Sequence, residues 1–141
     1  MKTNSSTDLA ARLRQVVTRL NRRLRASSLG EISPAQASML ASIELLEGPT
    51  LGDLANAEQI QPPSVTRLVK GLQDAGLIAQ KTDESDRRAT RVGITPRGKK
   101  ALGEIRERKT QFLHSKLSAL SPKELQEVEK MIVLLEGLLG E

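Results

Sequence analysis

A chain of 141 residues with 38% apolar content fits one domain, or one domain carrying association arms, around an aliphatic core, since Phe112 is its only aromatic residue. The absence of cysteine excludes disulfides, thiolate metal sites, a cysteine nucleophile and a thiol redox sensor. The net charge of +5 is unevenly spread: residues 1–33 carry +5, 34–60 carry −4, 61–100 carry +5 and 101–141 carry −1, a pattern suited to a polyanion on part of the surface, although a basic block alone is commonly just solvated.

The opening stretch Met1–Thr7 is polar and has no apolar core of a signal peptide. No apolar run approaches the ~18 residues of a membrane span. The expectation is a soluble, cytoplasmic protein with no membrane partner.

Ser6 or Thr7 precedes the first helical pattern, with Leu9, Leu13, Val16, Leu20 and Leu24 on one stripe and Arg12, Arg19, Arg22 and Arg23 opposite. It ends near Ser28–Gly30. Ser33-Pro34-Ala35-Gln36 starts a second helix, with Ser as cap, Pro in the first turn and Gln reaching back. Met39, Leu40, Ile43 and Leu46 follow, and Gly48-Pro49 stops it. Thr50-Leu51-Gly52-Asp53 opens a short third helix. After a break near Gln59–Gln61, Pro62-Pro63 suits the first turn of a fourth, running to about Ala75 with Val65, Leu68, Val69 and Leu72 inward. Leu77–Thr82 and Arg91–Thr95 read as two strands joined by the polar turn Asp83–Arg88. Thr95-Pro96 caps a long helix containing Leu102, Ile105, Phe112, Leu113 and Leu117. Ser121-Pro122-Lys123-Glu124 caps the last, with Leu125, Val128, Ile132, Leu135 and Leu139 on one face.

The predicted fold is therefore mainly α with a small β-hairpin: a winged helix-turn-helix over residues 34–95, an N-terminal helix in residues 1–33 and C-terminal helices in residues 96–141. Two helices joined by a tight turn let the second lie in the DNA major groove while the first braces it, and the hairpin reaches a flanking minor groove. The second helix offers Gln61, Ser64, Thr66, Arg67 and Lys70 as reading positions, Arg67 being able to fork onto a guanine edge or a phosphate. The wing offers Asp86, Arg87, Arg88 and Arg91. An arginine at its tip suits a narrow minor groove, and Asp86 would pair with one and hold the turn. The plainer readings are an ordinary amphipathic surface helix and a solvated turn. The apolar stripes of the first helix and the last two exceed what one small winged-helix core can cover. A homodimer would bury them, although packing within one subunit is the alternative.

Thr66-Arg67-Leu68-Val69 with Leu72, Gly76-Leu77-Ile78, Asp86-Arg87-Arg88 and Val92-Gly93-Ile94-Thr95-Pro96-Arg97-Gly98 resembles the core of the MarR family, and the likeness covers nearly the whole chain. Two departures are Gly71 inside the second helix of the pair and Pro62-Pro63 in place of a small polar opening. The resemblance implies a homodimeric transcriptional regulator, a repressor or an activator, on a pseudo-palindromic double-stranded DNA operator, and so a protein found at the nucleoid. It places Arg67 and its neighbours in the major groove, Arg87 or Arg88 in the minor groove, and Asp86 as the wing's stabiliser. It also implies a small phenolic or anionic effector. Leu20, Leu24, Met39, Ile43 and Phe112 could line its space, and plain core packing explains them equally well.

His114, the sole histidine, has no cysteine partner and fits no metal site. Glu44 and Glu47 read as solvated positions and Asp53 as a cap. No catalytic constellation stands out, so neither an enzyme nor a bound cofactor is expected. The rival readings are an architectural DNA-binding protein without an effector and a winged helix that binds proteins.

Overall fold

The computed structural model describes residues 5–140. In chain order these form α1 (Ser6–Ser27), α2 (Pro34–Leu46), α3 (Leu51–Glu58), α4 (Pro62–Asp74), β1 (Ile78–Thr82), β2 (Thr90–Ile94), α5 (Pro96–Leu117) and α6 (Pro122–Leu139). Most starts carry their own chemistry. Ser33, Thr50 and Ser121 form reciprocal capping boxes with Gln36, Asp53 and Glu124. Thr95 caps α5 at the backbone N–H of Gly98. The cap of α1 is Ser5, whose hydroxyl accepts from Asp8 N–H, one or two residues before the Ser6 or Thr7 that the sequence suggested.

The core lies between α2, α3, α4, the sheet and the first half of α5. Met39, Leu40, Ile43, Leu54, Val65, Val69, Leu72, Leu77, Ile78, Val92 and Leu102 form it, with Leu68 partly buried against it. The arrangement is a winged helix-turn-helix. Helix α5 is shared: Gly98, Leu102 and Ile105 close the core, and the helix also carries α1. A division at residue 95 therefore cuts through one packed unit.

Two glycines make the turn from helix to wing. Gly76 has φ of 75°, a left-handed conformation that ends α4 and aims the chain into β1. Gly98 lies so close to Leu77 that an added Cβ would overlap the Leu77 carbonyl. At the same junction Leu77 O accepts from Thr95 N–H at 3.0 Å, and the Thr95 hydroxyl donates to Gly76 O at 2.7 Å. The Thr95-Pro96-Arg97-Gly98 motif is thus a clasp holding the end of the wing against its beginning. Gly71 differs: a Cβ there would meet only the end of the Gln36 side chain on α2, which can swing aside.

The hairpin is antiparallel, pairing Ile78 with Ile94, Gln80 with Val92 and Thr82 with Thr90. Beyond its own ladder it is tied to the α2–α3 turn. Thr50 bridges Arg91, and Val92 N–H donates to Pro49 O at 2.9 Å. The wing therefore takes its direction from the helix pair.

The arms differ. No residue of α1 or α6 is buried. Helix α1 rests on α5, and α6 makes at most marginal contact with the other elements. No helix among the described residues is long and apolar enough to cross a membrane.

Candidate nucleic-acid interface

The outer face of α4 follows from its inner one. Val65, Leu68, Val69 and Leu72 turn inward at helical spacing, leaving Thr66, Arg67, Lys70 and Gln73 exposed. Arg67 makes no hydrogen bond or ion pair among the described residues, so its guanidinium is available to an outside acceptor. Lys70 lies 3.3 Å from Asp74, both largely exposed. The Thr66 hydroxyl donates to Pro62 O at 3.1 Å. Ser64 is half-buried, and Gln61, the N-cap, makes no side-chain capping bond.

The double proline changes what the helix start can do. A helix N-terminus normally offers several free N–H groups to an anion. Here the first two helical residues have none to offer, and the next two, Ser64 and Val65, both donate to Gln61 O. An outside acceptor at this end would therefore meet side chains rather than free backbone N–H groups.

The wing is built by carboxylates. Asp83 accepts from Ser85 N–H and hydroxyl and from Arg91 Nε at 3.1 Å. The Ser85 bonds, with Arg91 adding to them, hold the Asp83 carboxyl below its ordinary value. Arg91 also donates to Gly48 O at 2.8 Å. Its side chain is thereby committed to anchoring the hairpin on the α2–α3 turn, from a position near the turn end of the ladder, beside the Thr82–Thr90 pair. It also faces Lys81 across the ladder, a like-charge pair that Asp83 offsets. Asp86 holds the tip mainly through the backbone, accepting from Arg88 N–H at 3.1 Å, while the Arg88 guanidinium is a looser 3.8 Å away. The Arg88 side chain is 97% exposed, and Arg87 is exposed with no ion pair among the described residues. The two tip arginines thus project outward from a turn that two aspartates fix.

Composition-based reading passed over two residues. Asp83, rather than Asp86 alone, organises the turn, and the signal was its spacing of eight from Arg91 across a hairpin. Gln73 on α4 accepts from the Gln80 amide on β1 at 2.8 Å, linking the helix directly to the wing.

The five residues proposed for an effector space do not converge. Met39 and Ile43 are sealed in the core, Leu20 lies on the open face of α1, and Leu24 is half-buried. Phe112 borders a shallow cleft with Ser27, Glu104 and Gln111. The space between α1, α2 and α5 lies elsewhere, in a cleft of about 260 Å³ edged by Asn21, Arg25, Ala37, Ile105, Arg106 and Lys109. Among the described residues no group of carboxylates and histidine is placed to hold a metal.

The comparisons with known proteins agree with this geometry. The profile of the MarR family matches residues 32–90. An HTH-type transcriptional regulator of Mycobacterium bovis is 28% identical over 139 residues, covering 98% of this chain and 97% of its own. A transcriptional regulator structure from Pseudomonas aeruginosa PA01 superposes with a TM-score of 0.84 at 30% identity, over 99% of both chains. A mutant MepR of S. aureus, solved bound to an oligodeoxyribonucleotide, shares the fold with a TM-score of 0.71 at 21% identity, over 93% of this chain and 97% of its own. The chain belongs to the MarR family of winged helix-turn-helix, DNA-binding transcriptional regulators, which are not enzymes.

Proposed function

We propose that the protein is a repressor that binds a pseudo-palindromic operator as a symmetric homodimer and leaves it when a small anionic or phenolic effector binds. The observation that carries this reading is the outward stripe of α4, centred on the unpaired Arg67, beside a wing whose tip arginines point away from the core. Residues 34–95 with the start of α5 would be the reading head, and residues 1–33 with the rest of the C-terminal helices the dimer arms. Gln61, Ser64, Thr66, Arg67 and Lys70 would meet the major groove, and Arg87 or Arg88 the minor groove. Arg91, Asp83 and Asp86 would keep the wing in place. The oligodeoxyribonucleotide bound to the structurally similar MepR supports DNA as the partner, and such a role would put the protein at the nucleoid in the cytoplasm.

The exposed apolar faces of α1 and α6 support a two-fold partner, which would present two heads to half-sites about 10 base pairs apart. The effector would enter the cleft between α1, α2 and α5. Arg25 and Lys109 supply positive charge there, and Arg106 adds more, although it is shared with Glu44 at 3.0 Å. A ligand at that place touches both arm and head, so it can favour one arrangement of the two over another.

Genomic fragments selected by the purified protein test the reading. An inverted repeat protected symmetrically, and released by phenolic carboxylates, is the expected result. Protection without sequence preference would point to an architectural binder, and no protection to a protein-binding winged helix.

A further inference from the structure

Helices α1 and α6 carry opposite charges in the same arrangement. On α1, Arg12 stands three residues after Leu9 and four before Val16, and Arg19 stands three after Val16. On α6, Glu129 stands four after Leu125 and three before Ile132, and Glu136 four after Ile132 and three before Leu139. Residues three and four apart are neighbours on a helix surface. Each charge therefore borders an exposed apolar stripe, so Arg12 and Arg19 flank the stripe of α1 rather than lying opposite it as the sequence pattern suggested. Leu9 and Val16 are 51% and 57% exposed on α1, and Leu125, Ile132 and Leu139 are 40%, 47% and 74% exposed on α6. Both pairs of charges are seven residues apart, about 10 Å along each axis. Two helices laid side by side can then form both ion pairs at once, whichever way they run.

None of these four side chains has an ion-pair partner among the described residues, and α1 and α6 make at most marginal contact with one another within the chain. Apart from Asp8 near its start, α1 has no acidic residue to pair with its six arginines.

We infer that Arg12 and Arg19 of α1 pair with Glu129 and Glu136 on α6 of a second copy of this chain, so that charges flanking the apolar seam select self-association. The inference rests on the homodimer reading above and adds its partner code, in the way that flanking charges select partners in coiled coils. A second copy is the occupant because it supplies both halves of the match, twice, around a two-fold axis.

The test is a charge exchange followed by sedimentation over a dilution series at low salt. Arg12→Glu with Arg19→Glu makes both arms acidic, and Glu129→Arg with Glu136→Arg makes both basic. Each double variant should weaken its own dimer by roughly tenfold or more, the effect shrinking as salt screens it. An equimolar mixture of the two should restore association as a heterodimer. That rescue also shows that the variants are folded. Dimers of unchanged affinity in both variants, or a mixture with no preference for the heterodimer, would overturn the charge code while leaving the homodimer intact. A wild-type chain that stays monomeric throughout the series would overturn the dimer reading itself.

Discussion

The reading head and the arms are built from similar aliphatic residues, yet they differ in what covers them. In the head, Met39, Leu40, Ile43, Leu54 and Leu72 are almost wholly withdrawn from solvent. On the arms, Leu9, Leu13, Val16, Leu20, Leu125, Ile132 and Leu138 stay open. Apolar patches of this extent on a small chain mark an association surface. The head is therefore held by contacts within one chain, whereas contacts within one chain leave the arms open. An apolar stripe alone does not say which case applies.

The largest expected effect lies in the head. Leu40→Ala should cost ~2–5 kcal/mol, measured by denaturant unfolding and independent of protein concentration. Leu138→Ala, at a site 77% exposed, should leave a dilute chain almost unchanged. Equal losses at the two sites would erase the contrast.

Gly98→Ala comes next, at ~1–3 kcal/mol, because a methyl group must displace the Leu77 carbonyl. Thermal unfolding measures it, and a neutral result would remove the clasp between wing and α5.

Arg67→Ala should weaken operator binding by ~1–3 kcal/mol if the guanidinium reads a base. Titration of matched and random duplexes separates this from a phosphate contact, which would weaken both alike. Arg87→Ala and Arg88→Ala should each reduce affinity at the flanking minor groove, and indifference to both would exclude the wing.

Acid should loosen both regions. Hydrogen bonds to the Thr50 backbone and hydroxyl depress the Asp53 carboxyl, those to Ser85 depress Asp83, and those to Ser121 depress Glu124. A carboxyl depressed in the folded state stabilises the fold above its unfolded value and stops doing so as pH falls through the folded one. Thermal stability should therefore begin to fall as pH drops below about 4. Asp83→Asn should blunt part of that fall and disorder the wing, which amide exchange along β1 and β2 would register.

The smallest effect is at Lys70. Its exposed pair with Asp74 contributes only ~0.3–0.5 kcal/mol of stability. Lys70→Ala should act instead on DNA, lowering the salt slope by about one if it meets a phosphate.

Much of this architecture could be read along the chain. Ser33, Thr50, Thr95 and Ser121 announce helices because a cap is a bond across three residues, and the inward stripe of α4 follows from its own periodicity. The candidate reading positions on α4 were legible for the same reason. Arg91 was not, because its role as an anchor depends on Gly48, forty-three residues away, and on Asp83 across the turn. Nor was the space between α1, α2 and α5, since apolar residues chosen by periodicity, such as Met39 and Ile43, are the ones a core seals.

Local order alone thus set where helices start and stop, which faces are apolar and where arginines cluster, since these depend on contacts within one or two turns. Packing decided the rest: that Gly98 makes room for the Leu77 carbonyl, that the wing hangs from the α2–α3 turn, and that α1 and α6 are left uncovered. Those outcomes depend on residues distant in sequence meeting in space, and no periodicity within a single element encodes such a meeting.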